Sequence, residues 1–511
     1  MKLPEKGPAD MRGTDLTDLH APNKDLSECD LRKANLVRSN LTNARLDLAD
    51  LRGANLTGAN LTGADLTSAN LSDGTLLDNA TLSKATLVKA YLVSTSMIHA
   101  KLTNANLTRA NLNYAWIEFA KLSHVVASHA SWSSAVLHGS DLNHAKLNRC
   151  NLENAKLTSV QANQSDLSHS DLSCAILDYG SFTDADLSGA NLTGASLCHT
   201  KMSESNVTRA KLRWANLANA VMTNADLTES DLSDADCHSA YCCDADFSRA
   251  NLSGANFENA DLTGVDMTGA NLVRTHFYNA ILISAVLSNA SLVSANLSGA
   301  NLAGATFDGA DLTGANLEEA DITRSRLRAA SLVSTNLLGA TFEGSNLDEA
   351  NLTGACLRGV FLKGVSLIKS NLSNASFDKT DVSYSNLKST NLSNARFNSA
   401  NLTSCLLDMA DMSNTQGTVI CKTAKLRGTN LSGAHLSNSD FRGATLTGAN
   451  LSGADLNLSN FVDADLSGAD LSGANLKGCC FTNANLTDTN LSGANLDGAT
   501  LDNVIGMPVV D

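Results

Sequence analysis

The chain has 511 residues and is 43% hydrophobic but only 4% aromatic, enough apolar material for a continuous core but not for one wide enough to need many large rings. A net charge of −15 argues against direct nucleic-acid binding. With no apolar run of about 18 residues and no apolar segment within Met1–Gly13, neither a membrane span nor a secretory leader is expected, and the default location is the cytoplasm.

In chain order, residues 1–24 carry charge and three of the four prolines, and read as an N-terminal arm or cap. From Leu26 an apolar centre recurs every five residues, through Leu31, Leu36 and Leu41 to Leu71 and Leu76. The next centre is Leu82, so one extra residue falls near Leu76-Leu77-Asp78-Asn79, a register break at 77–81 that reads as a bulge or corner loop. The new register runs to Met412, with Ala127, Trp132, Ala162, Cys237 and Cys242 as atypical centres. A second break, 415–423, reads as a loop or a shortened coil; regular centres resume at Leu426 and end at Leu501. The repeat domain is therefore placed at 25–503 and a C-terminal tail at 504–511.

Within a unit such as Ala54-Asn55-Leu56-Thr57-Gly58, Ala and Leu are two apart and point the same way in extended chain, with Asn pointing outward between them. Ser, Thr or Gly then turns the corner. Five residues are too few for a strand and a hairpin, so the chain must bend at every repeat and wind into an all-β solenoid that forms one long array.

The pattern of small residue, Asp or Asn, Leu or Phe, Ser, Thr or Arg, then a variable residue resembles the pentapeptide-repeat family over nearly the whole chain. The resemblance implies a right-handed quadrilateral parallel β-helix with four pentapeptides per coil. Phe441, Phe461 and Phe481, and the pairs Phe257 and Phe277 and Phe377 and Phe397, recur at intervals of 20, which independently supports a twenty-residue coil. About 23 coils at a ~4.8 Å strand spacing then make a rod of roughly 110 Å.

Candidate surfaces are departures from this baseline. Residues 221–350 hold 18 acids and 5 bases, whereas 81–220 hold 9 acids and 12 bases. In the outward slot before the centre, Asp226, Asp246 and Asp266 recur every 20 residues, and the column extends back through Asn206 to Asp186 and Asp166. Such a ladder suits cations or a basic partner surface. It also has a purely structural reading, because Asp is the commonest alternative to Asn in this slot.

The stretch Trp116–Ser140 is the second candidate. Tyr114 and Trp116 read as outward residues and Trp132 replaces a core leucine; exposed aromatics on a polar rod mark a docking patch, the alternative being that Trp132 fills space left by Ala127. His124 and His144, also 20 apart, lack a third ligand, so no metal site is expected. The twelve cysteines form neither a disulfide framework nor paired CxxC motifs. Cys29, Cys150, Cys405 and Cys479 take the small-residue slot and read as buried free thiols.

No GxSxG, P-loop, HExxH or helix-opening GxGxxG motif is present, and flat polar walls offer no water-excluding pocket. The reading is a non-enzymatic protein-binding scaffold or spacer without cofactor, with a homodimer through a terminal coil as a further expectation. The alternative implied by the family resemblance is a DNA mimic that binds a type II topoisomerase such as DNA gyrase. Duplex DNA carries one charge per ~1.7 Å, far denser than this chain's net charge, which weighs against it.

Overall fold

Most corners of the chain are hydrogen-bonded turns. In Leu56-Thr57-Gly58-Ala59 the Ala59 N–H donates to the Leu56 carbonyl at 2.9 Å, and Gly58 has φ +68°. An i to i+3 bond with a left-handed third residue is a type II turn. Where glycine is absent, Asn, Ser, Arg, Lys or His takes the same conformation, as at Lys33 and His124, both with φ of 57°.

Turn by turn the computed structural model, which describes residues 8–506, stacks these corners into twenty-residue coils. The coils fall into two units, Met1–Ala260 and Asp261–Asp511. Within each, outward residues 20 apart pair in parallel, as in Asp10–Asp30–Asp50 of the first and Asp261–Ile281–Asn301 of the second. Each repeat gives the ladder three bonds, shown by Leu31 N to Asp50 O (2.7 Å), Lys33 N to Arg52 O (2.9 Å) and Asp50 N to Cys29 O (2.9 Å).

One N–H per repeat, on the residue after the centre, enters neither the ladder nor the turn. The outward Asn or Asp satisfies it: Asn55 Oδ1 accepts from Thr57 N at 3.0 Å and from the Thr57 hydroxyl at 2.7 Å. Buried backbone donors need such partners, so this bond accounts for the repeat's preference for Asn or Asp before the centre and Ser or Thr after it. Pro22, which has no N–H to satisfy, occupies the same slot.

We label the four walls of the first unit by the outward residues of its first coil: A from Asp10, B from Asp15, C from His20 and D from Asp25. Leucine and alanine fill the interior, and in the second unit Phe441, Phe461 and Phe481 stack at 5.0 Å with rings 2° and 6° from parallel, as the sequence columns anticipate. Phe377 and Phe397 stack likewise at 4.9 Å.

Several boundaries move. The ladder already contains Asp10, Asp15 and His20, so 10–24 are coil rather than an arm; residues 1–7 lie outside the described residues. At the far end Ile505 pairs with Asn485, which carries the ladder into the expected tail, while 507–511 lie outside the described residues.

The first register break lies earlier than 77–81. Leu77, not Leu76, is the buried centre, and Leu76 faces outward on wall B, 38% exposed. The added residue is in the corner Ser72-Asp73-Gly74-Thr75, where Gly74 has φ +78° and the Thr75 hydroxyl donates to Leu51 O at 2.8 Å. Wall pairs are accordingly 21 apart across it, as in Asn55–Leu76, and 20 apart again from Leu76–Ser96.

The second break is a shortened coil. Strands β1 (Ala400–Asn401) and β2 (Val419–Ile420) pair in parallel with Ala400 opposite Val419, 19 residues on. The lost residue is absorbed at Gly417, φ +118°, where a β-carbon would lie 2.8 Å from Asn398 N and 2.9 Å from the Phe397 carbonyl carbon. Only glycine fits there without moving backbone.

Candidate partner-binding surfaces

Wall B carries the main apolar departure. Leu76, Ser96, Trp116 and Val136 are successive rungs, and Trp116 is 56% exposed. Tyr114, 58% exposed, is not in the outward wall slot; it takes the left-handed corner position between walls A and B with φ 59°. From there it flanks Trp116 on one side.

Phe119 flanks it on the other, at the corner between walls B and C, 47% exposed. Its ring stacks on His99 at 5.4 Å and meets His138 edge-on at 5.3 Å. Sequence reasoning passed over Phe119, although its position two residues after the centre Ile117 marks it as a corner residue.

Trp132 takes no part in this surface. It is 0% exposed at the centre of a wall A repeat, so it cannot meet a partner. Ala127, the small centre of the preceding repeat, is buried as well. The buried indole N–H of Trp132 has no hydrogen-bond partner among the described residues.

Asp166, Asp186, Asn206, Asp226 and Asp246 are consecutive rungs of wall D. Each of these aspartates is also the turn acceptor of its own repeat: Asp166 Oδ1 takes Ser168 N at 3.0 Å, Asp186 takes Ser188 N at 2.9 Å, Asp226 takes Thr228 N at 2.9 Å and Asp246 takes Ser248 N at 2.8 Å. One carboxylate oxygen of each is therefore structural. Asp266 belongs to the second unit, where it accepts from Thr268 N at 2.8 Å and pairs with Val286.

His124 and His144 stack face to face at the corner between walls C and D, 4.6 Å apart and 4° from parallel. Among the described residues no cluster of three metal-ligating side chains exists.

A further feature was legible but unread: Asp10-Met11-Arg12, Asp30-Leu31-Arg32 and Asp50-Leu51-Arg52, spaced by 20. Each Arg forks onto its own Asp, as Arg32 does with Nε to Oδ1 at 2.9 Å and Nη2 to Oδ2 at 2.6 Å. Arg12 Nε also reaches Asp30 at 3.4 Å and Arg32 Nε reaches Asp50 at 3.6 Å, which zips wall A across coils. The Arg12 fork pulls Asp10 down to about 2, and Arg32 and Arg52 likewise lower Asp30 and Asp50.

Buried thiols are held in their neutral form. Desolvation pushes Cys150 and Cys405 up to about 12 and Cys479 to about 11. Their sulfurs donate to the carbonyls of Ala127, Val382 and Leu456 at 2.9–3.0 Å.

These twenty-residue coils of four turns, parallel-laddered around a Leu and Ala core, define a β-helical repeat protein. The family described as Pentapeptide repeats (8 copies) matches overlapping stretches from residue 9 to residue 503, and the chain belongs to that family. Two short stretches fall between the matches, 114–117 and 417–423. The first holds Tyr114 and Trp116; the second is the shortened coil.

Among solved structures, HetL, a pentapeptide repeat protein involved in heterocyst differentiation regulation from the cyanobacterium Nostoc sp. strain PCC 7120, is 27% identical, with 58% of this chain and 91% of that one covered and a TM-score of 0.19. QnrB1, a plasmid-mediated fluoroquinolone resistance protein, is 17% identical over 42% of this chain and 89% of its own, with a TM-score of 0.25. A pentapeptide repeat protein from the Arabidopsis thaliana thylakoid lumen is 27% identical over 24% and 66%, with a TM-score of 0.12. No curated protein matches in sequence. No helix among the described residues is long and apolar enough to cross a membrane.

Proposed function

We propose that the chain is a non-enzymatic protein-binding scaffold that docks a protein partner on wall B around Trp116. The observation that carries this reading is the trio Tyr114, Trp116 and Phe119, each about half exposed on one wall and its two corners. The repeat asks for a polar side chain in the Trp116 slot, where the residue before the centre ordinarily caps a turn. A tryptophan there forgoes that bond, and large exposed aromatics are the groups that anchor protein interfaces.

The acidic column supports a topoisomerase-binding DNA mimic less well. Its aspartates double as turn acceptors, and the rungs before them on wall D, Thr86 to Lys146, carry no carboxylate.

Trp116→Asn and Phe119→Asn restore residues that the repeat prefers and leave the core untouched. The expected result is that partners co-purifying with the wild type are lost from both variants, while the melting temperature is kept or rises. Retention of the same partners by both variants would remove wall B as the docking surface. Inhibition of gyrase supercoiling at micromolar protein, unaffected by these two changes, would favour the mimic instead.

A further inference from the structure

Beyond its first three rungs, Asp25, Arg45 and Asp65, wall D of the first unit is divided by charge. Nine rungs from Thr86 to Asp246 span eight ~4.8 Å steps, roughly 38 Å. On the lower rungs the wall and its two corners carry five cations, Lys84, Lys89, Arg109, Lys146 and Arg149, and no carboxylate. None of the five has an ion-pair partner among the described residues.

Above the rung of Asp166 the sign reverses. Asp186, Asp226 and Asp246 lie on the wall, and Asp184, Glu204 and Asp244 line the corner toward wall C. At the opposite corner Glu229 sits between Arg209, at 2.8 Å, and Arg249, at 3.6 Å, so that edge adds little net charge.

We propose that wall D is a self-complementary interface on which a second copy of this chain docks antiparallel. A two-fold axis lying across the wall through the coil of Asp166 makes the interface isologous. It sets Lys146 opposite Asp186 of the second copy, His144 opposite its Asp184, His124 opposite its Glu204 and Lys84 opposite its Asp244. Asp166 itself falls on the axis, one rung from Lys146 of its own chain.

Parallel docking would set Lys146 on Lys146 and each wall aspartate on its own counterpart, so along the rungs charge favours the antiparallel arrangement, in which Lys89 opposite Arg249 is the one pair of like full charges at the corners. Wall D is opposite wall B in the coil, and the pairing leaves the Trp116 surface free on both copies. Failure of one proposal therefore does not touch the other.

The test is sedimentation velocity on the full chain at 50 and 500 mM salt. A dimer at low salt whose dissociation constant rises roughly tenfold or more at high salt is expected, because exposed interfacial charges are screened. Two charge-reversed variants decide the surface. One is Lys84→Glu/Arg109→Glu; the other is Asp244→Lys/Glu229→Lys, at the positions that face them across the axis, and both spare every turn-capping aspartate.

Each variant alone should be monomeric, with unchanged circular dichroism. An equimolar mixture should recover a heterodimer, because each reversed position then meets a residue of opposite sign on the other variant. A wild type that is monomeric at 50 mM salt, a dimer indifferent to both reversals, or a mixture that stays monomeric would each overturn the proposal.

Discussion

The phenyl ring of Phe119 lies directly over Gly139 one coil on, so closely that a β-carbon at residue 139 would come within 2.7 Å of the ring. Gly139 has φ +63°, a conformation that asparagine also tolerates. Gly139→Asn should therefore spare the backbone and displace the ring. We expect the His138 ring resonances to lose the shift caused by the edge-on phenyl, as they do in Phe119→Asn, with the melting temperature lowered by no more than a few degrees. Unchanged His138 resonances in Gly139→Asn would mean that the glycine does not seat Phe119.

The ion-pair ladder on wall A sets an acid limit for the first coils. Its aspartates lie below their ordinary value of 3.8, Asp10 at about 2, through the forks of Arg12, Arg32 and Arg52. A carboxylate with a lowered folded-state pKa adds stability above its unfolded pKa and loses it as pH falls through the folded one. Amide exchange at Leu31 and Lys33 should accelerate between about pH 4 and 2, after allowance for intrinsic rates. Arg32→Gln should shift that acceleration to higher pH, while the amides of Leu446 and Leu466, remote from the ladder, should not follow the change.

Thiol labelling should separate the cysteines by burial. Cys174 and Cys356 are exposed and should react with a disulfide reagent in the native protein, whereas Cys150, Cys237, Cys405, Cys421 and Cys479 are buried and should react only on denaturation. Burial both hides these sulfurs and disfavours the reactive thiolate. Peptide mapping after native labelling checks this; modification of Cys405 at the rate of Cys174 would contradict it.

The three tryptophans should report different environments. Trp116 and Trp214 are more than half exposed, and Trp214 is overlaid by the Arg213 guanidinium at 4.0 Å, whereas Trp132 is fully buried. Trp132→Phe should remove the blue-shifted, iodide-resistant part of the emission, and Trp116→Asn part of the quenchable remainder. The Trp132→Phe change also deletes a buried N–H that has no hydrogen-bond partner, so its cost should stay below the 3–5 kcal/mol typical of truncating a core tryptophan to alanine.

The period of five, the outward Asn and Asp, and the twenty-residue coil were legible because each is repeated many times. The boundaries were not. Asp10-Met11-Arg12 has an atypical centre, and Pro22 disguises an ordinary coil until the slot whose N–H enters neither ladder nor turn is known. At Leu76-Leu77 two adjacent leucines fit either register, and only the backbone at Gly74 decides between them. Trp116 was found because it breaks the polar slot. Phe119 was missed because corner positions accept almost any side chain, so an aromatic there breaks no pattern.

The separation of Leu76, Trp116 and Ile176 on wall B follows from the ladder alone. These rungs are 40 and 60 residues apart, hence two and three coils at 20 residues each. Duplication or loss of one coil between them would leave every core contact of the same kind and move the outer features by one ~4.8 Å step. The wall is graduated like a ruler, and unequal recombination between similar coils can reset the distance between two outward side chains without redesigning either.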